Sequence, residues 1–181
     1  MNKLPSDFRL YRYGIDVRLV TEEDADFIFE LRSNKMLTRH IHAIDDDVNK
    51  QIQWIREYKK RENEGREYYF IYSKNGCPFG VNRVSNIYEY YGLGGSWICS
   101  PGTDVSLSMA TPFVEHDISF DIIGLDYLVF DVRKANTHVW KFHESTGAVR
   151  IGESPLDYYY YLYKDNYNRR KIKFLKILNI I

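Results

Sequence analysis

The sequence predicts a mixed α/β fold: a largely antiparallel sheet with helices on both faces, in one domain over residues 1–181. Three observations predict it. Strand signals joined by a short turn crowd the first half, as at Lys74-Asn75-Gly76. Strands then alternate with helical segments. Two of those segments end on glycine, Gly124 and Gly147. The length suits a single core.

Residues 1–16 read as an irregular lead-in, and Val17–Val20 as a short strand. Thr21-Glu22-Glu23-Asp24 matches a capping box, with an acid three residues after the capping Thr. The helix it opens carries Ala25, Phe27, Ile28 and Leu31 on one face and ends near Arg32-Ser33-Asn34. Lys35–Asp47 is less regular. A second helix begins around Asp47, spaces Val48, Ile52, Ile55 and Tyr58 at helical period, ends in Arg56, Lys59, Lys60 and Arg61, and stops at Gly65.

Tyr68–Tyr72, Phe79–Ile87 and Gly95–Ser100 read as strands, the last broken by Pro101-Gly102. An apolar helix spans about Leu107–Ile123; Pro112 fits its first turn if the helix starts near Ser108. Tyr127–Val132 reads as a buried strand, Ala135–Thr146 as a helix, and Val149–Ile151 and Asp157–Tyr163 as the last strands. Residues 165–181 form a basic, aliphatic extension. It suits a helix docked on the domain or on a partner subunit, which leaves a homodimer open.

Composition narrows the function classes. Lys plus Arg and Asp plus Glu each number 25, so no net field favours nucleic acid. No apolar run approaches the roughly 20 residues that span a bilayer. The first residues lack an apolar signal stretch. The expected compartment is the cytosol, with Cys77 and Cys99 as free, buried thiols.

Val132–Ala148, VRKANTHVWKFHESTGA, carries the most specific motif. With the element order, it resembles the strand–Val-x-x-x-Asn–helix–Gly-Phe segment of the GNAT superfamily of N-acetyltransferases. Val132, Asn136 and Gly147 match, and Ala148 replaces the usual Phe. The resemblance spans about Val17–Tyr163. It implies a V-shaped split between Gly95–Ser100 and Tyr127–Val132 that admits acetyl-CoA as cosubstrate. Trp97, Ile98 and Cys99 would line the thioester and offer backbone N–H groups to the oxyanion. Val105, Ser106, Leu107, Ser108 and Met109 would cradle the pyrophosphate at a helix start. The family's Arg/Gln-x-x-Gly-x-Gly/Ala loop is absent, because Thr103–Ser108 holds neither a basic residue nor a glycine, and Asp104 opposes the charge.

Asn136, Val139 and Phe142 would border the pantetheine arm, although Asn136 is equally a natural helix cap. His143, seven residues beyond Asn136, falls where many members place the Tyr that protonates the leaving thiolate, and an imidazolium could do the same. His40 and His42 fall in a segment that borders the acceptor in this fold. No third ligand points to metal. His116 reads as a satisfied helix residue and His138 as exposed. Glu89 is a candidate base or simply a solvated strand-end acid. Tyr90 belongs with Tyr88, Tyr91 and Trp97 to an aromatic cluster beside the expected cleft. In Tyr158–Tyr161, alternate rings should face opposite sides of the sheet. The acceptor is a small-molecule primary amine. VWKFHESTGAVRIGE resembles members that acetylate amino sugars of nucleotide-linked precursors. The alternatives are a protein N-terminal acetyltransferase, whose helix shares Gln51, Trp54 and Ile55, and a GNAT-fold binding protein without activity.

Overall fold

The computed structural model describes residues 1–41 and 47–181. Eight strands form one sheet in the order β1-β2-β3-β4-β5-β6-β8-β7. Every neighbouring pair is antiparallel except β5–β6.

The lead-in is more ordered than its sequence suggests. β1 (Arg9–Arg12) pairs with β2 (Ile15–Leu19) across a two-residue turn. Tyr13 and Gly14 both take positive φ there, 55° and 75°, as a type I′ hairpin requires. Tyr at the first of these positions hid the turn, since a side chain seldom accepts that conformation.

The backbone N–H of Thr21 donates to the Asp24 carboxylate at 2.8 Å, which realises the expected capping box. α1 (Ala25–Ser33) follows, then a short α2 (Lys35–Thr38) capped by the Asn34 side chain. Asp47 caps α3 (Val48–Asn63), its Oδ1 accepting from the Asn49 N–H at 2.8 Å. α1 and α3 cover one face of the sheet, with Ile28, Leu31, Ile55 and Tyr58 packed on Tyr69, Ile71, Val81 and Ile98. β3 (Tyr68–Lys74) and β4 (Cys77–Ser85) form the hairpin at Asn75-Gly76. Cys77 is exposed and Cys99 half-buried, so neither is the fully buried thiol expected.

β5 covers Tyr91–Cys99, four residues longer at its start than its signals implied. α4 (Val105–Asp117) begins before Leu107 and ends in a wide π-turn over Ile118–Ile123, closed by Gly124. Pro112 is therefore interior to the helix, not in its first turn. Its missing N–H leaves the Ser108 carbonyl to the Thr111 hydroxyl, which donates to it at 2.8 Å. β6 (Tyr127–Arg133) leads to α5 (Thr137–Thr146). Gly147 ends α5 at φ 113°, where an added Cβ would stand 3.0 Å from the Asn166 carbonyl oxygen. β7 (Val149–Glu153) and β8 (Asp157–Tyr163) close the sheet, and the extension is a helix, α6 (Lys164–Ile177).

The second core lies on the other face. Phe70, Tyr72, Leu128, Tyr160 and Leu162 of the strands meet Phe113, Phe142, Tyr167 and Leu175 of the helices. Asp117, 1% exposed, ties this layer together. It accepts from Tyr13 Oη and Tyr167 Oη, each at 2.7 Å, and pairs with Arg12 and Lys171. The β1–β2 hairpin, α4 and α6 thus converge on one carboxylate. Among the described residues no helix is long and apolar enough to cross a membrane.

Candidate functional site

β5 and β6 pair in parallel only at Tyr91↔Tyr127, Gly92↔Leu128 and Leu93↔Val129. Beyond that point the strands diverge, which is the split expected from the sequence. A β-bulge steers β5 away. Arg83 pairs with Gly95 and Val81 with Ile98, so Ser96 and Trp97 oppose the single residue Asn82. Ser96 takes φ 55°, a strained conformation for a residue with a side chain.

A cavity of about 130 Å³ opens in the split. β5 contributes Gly94–Trp97, β6 contributes Phe130–Arg133, α4 contributes Pro112, Glu115 and His116, and α5 contributes Asn136, Val139 and His143. His40, just after α2, closes one side. Of the residues singled out from sequence, the cavity wall unites Trp97, Asn136, Val139, His143 and His40. Asn136 stands at the α5 N-cap, yet its side chain makes no cap hydrogen bond. Phe142 lies behind the wall, 5.7 Å from the Trp97 ring. Ile98 packs into the α1/α3 core, and Cys99 lies beneath α4, its thiol pushed up by burial. Glu89 and Tyr90 lie exposed before β5, outside the cavity wall. His42 lies outside the described residues. No group of three potential metal ligands occurs among the described residues.

Asp104 does not turn away from the α4 N-terminus. Its Oδ1 accepts from the Leu107 N–H at 3.0 Å, so a carboxylate already sits where an anion would bind. Val105 is 73% exposed beside it.

His143 is buried against Phe130, whose ring centroid is 4.5 Å away, and its Nδ1 has no partner among the described residues. Burial pushes its pKa down to about 4. The ring is therefore neutral near pH 7, not the resting imidazolium expected from the sequence. His116, expected as a satisfied surface or core residue, is in the core at 4% exposed, but it faces the same cavity and its Nδ1 has no partner among the described residues. Burial, with the nearby His143 and Lys171, holds it neutral. Glu115 gave no signal in the sequence. It is 2% exposed, accepts from Ser119 Oγ at 2.6 Å and lies 3.4 Å from His116 Nε2. Burial, aided by the charge of Asp117, raises its pKa to about 8 against the Ser119 hydrogen bond.

A pH prediction follows from this carboxyl. Its folded-state pKa lies above the ordinary value, so its contribution to stability is complete below about pH 4.5. That contribution declines as pH rises through about 8. His116 and His143 have depressed values and contribute the opposite slope, losing stability as pH falls below about 6.5. Glu115→Gln keeps an acceptor for Ser119 and removes the titration. Melting curves from pH 5 to 9 should show the variant gaining on wild type as pH rises; parallel curves would refute the assignment.

Tyr158–Tyr161 alternate as expected. Tyr160 is buried under α5, and Tyr158 meets Trp140 at 5.7 Å. Tyr161 packs on Tyr127 at 5.2 Å on the opposite face, and Tyr127 stacks on Tyr91 at 5.3 Å.

No protein-family model matches the chain. No curated protein matches it either. Solved structures do. The chain is 34% identical to apo FdhC, a nucleotide-linked sugar GNAT, over 95% of this chain and 99% of that one, with a TM-score of 0.85. It also superposes on the spermidine N-acetyltransferase of Vibrio cholerae in complex with CoA and spermine (17% identity, 87% and 99% coverage, TM-score 0.74). A third match is the ribosomal-protein-S5-alanine acetyltransferase of Vibrio fischeri (16%, 89% and 99%, TM-score 0.76). The 34% identity runs through nearly the whole of both chains, and the divergent β5–β6 pair shares its fold. The chain therefore belongs to the GNAT superfamily of acyl-CoA-dependent N-acyltransferases.

Proposed function

We propose that the protein transfers an acetyl group from acetyl-CoA to the primary amine of a nucleotide-linked amino sugar, a step in building surface polysaccharide. The observation that carries this reading is the whole-chain likeness to a nucleotide-linked sugar GNAT at 34% identity. The solved structure of a spermidine N-acetyltransferase with CoA supports CoA as the acyl carrier.

The cleft supports direct transfer. Holding amine and thioester side by side in the split removes much of the entropic barrier. Neutral His143 can accept the proton as the amine nitrogen bonds to the carbonyl carbon. When the C–S bond breaks, the imidazolium returns that proton to the thiolate sulfur. One ring thus serves as base and then as acid, with no net proton change. Trp97 and the bulge backbone border the carbonyl, and Asn136 and Val139 border the arm of the cosubstrate. The first turn of α4, Val105–Met109, takes the pyrophosphate, and Asp104 gives up its cap to it.

An acceptor panel tests the reading: nucleotide-linked amino sugars, N-terminal peptides and spermidine, each with acetyl-CoA. Turnover of the linked sugars is expected; turnover of peptides or spermidine alone would overturn it. In the same preparation, acetyl-CoA at about 100 times its Kd should stabilise the fold by about 2.7 kcal/mol.

A further inference from the structure

We propose that Arg39, His40 and Arg133 form a subsite at the cleft mouth that binds the phosphates of the acceptor. The inference rests on the nucleotide-linked acceptor and adds the residues that would recognise it. His40 and Arg133 both line the cavity, one from the segment after α2 and one from the end of β6. Arg39 is the exposed neighbour of His40.

Three basic groups therefore meet at one rim. Burial lowers the His40 pKa most, and the charges of Arg39 and Arg133 lower it further. The neutral ring can still donate one N–H to a phosphate, and the two arginines supply the positive charge.

Arg133 is held but not saturated. Its Nη1 meets Asp157 Oδ2 at 3.0 Å, while Asp157 Oδ1 has no partner. Among the described residues this contact is single, which leaves most of the five guanidinium N–H donors for a planar, two-pronged contact with phosphate. The salt bridge fixes the side chain in position.

The spacing also fits. Asp131 and Arg133 stand on one face of β6, and both line the cavity. One residue lies between them, so their Cα atoms stand roughly 7 Å apart along the strand. That is the width of a sugar ring carrying an amine on one side and a phosphate on the other. The amine then lies deeper in the split, toward His143, and the phosphates stay at the rim.

Binding of UDP and dTDP to enzyme saturated with CoA, measured by calorimetry, tests the subsite apart from catalysis and from the CoA site. Wild type should bind at least one of them, and Arg39→Ala and Arg133→Gln should each weaken it about 10–100-fold. Arg39→Ala removes an exposed side chain and leaves the fold intact. Linked amino sugars should show raised KM with nearly constant kcat, and the unlinked amino sugar no change. Absence of nucleoside diphosphate binding by wild type, or equal affinity in both variants, would refute the subsite. Diphosphate binding that depends on the arginines without transfer to linked sugars keeps the subsite and overturns the acceptor. Transfer to linked sugars with unmoved KM keeps the acceptor and overturns the subsite.

Discussion

His143→Phe is expected to lower kcat by about 10²–10⁴-fold while acetyl-CoA affinity hardly changes, because proton transfer matters chiefly in the transition state. Phe keeps a ring beside Phe130 and Trp97 and removes both nitrogens. The pH profile sharpens the test. Burial places the His143 titration near 4, so the ring stays neutral from pH 6 to 9. Wild type and variant should therefore give parallel profiles across that window, displaced by the loss in rate. A profile whose shape changes with the variant would show that His143 titrates there and acts as a resting imidazolium. Wild-type kcat in the variant would leave the ring as no more than a wall of the cleft.

Asp117→Ala is expected to cost about 3–5 kcal/mol, the usual effect of removing one partner from a buried ion pair. For a chain of this length the melting temperature would fall by roughly 6–20 °C. The loss strands Lys171, itself well shielded, and two tyrosine hydroxyls that now donate at 2.7 Å. It also unties the β1–β2 hairpin and α6 from α4. Asp117→Asn, which keeps acceptor capacity but not charge, should fall between wild type and alanine. A loss below about 1 kcal/mol in the alanine variant would show that packing alone holds the three elements together.

The helices were legible because their signals are local. The capping box at Thr21–Asp24, the Asp47 cap and the glycine stops each lie within a few residues of the boundary they set. The resemblance carried by the motif from Val132 to Gly147 pointed to Asn136, Val139 and His143, and all three line the cavity. What stayed hidden depends on distant partners. β1 reads as a tail because its pairing needs a tyrosine in a glycine-like turn. The first residues of β5, Tyr91–Leu93, gain strand geometry from β4 and β6. Glu115 and His116 sit on a helix whose apolar residues are spread around its circumference, so no stripe marks which side meets the cleft. Their protonation states follow from burial, which a linear sequence does not display. The charge of Asp104 was visible, but not that its carboxylate caps α4.

Only three residue rungs join β5 to β6, and beyond them two strand edges face each other with their mutual backbone bonding unmade. Mechanically the sheet is two plates, β1–β5 and β6–β8–β7, sharing a short hinge. An extended ligand laid in the wedge would act as a ninth strand as well as a reactant. The pantetheine arm of CoA carries two amide groups, and these can pair with the open edges as an added peptide strand would. Binding of the acyl carrier there would stiffen the enzyme as it supplies the acyl group. Amide hydrogens along Gly94–Cys99 and Phe130–Arg133 should exchange more slowly once CoA is bound, while those of the outer hairpin β1–β2 keep their rate.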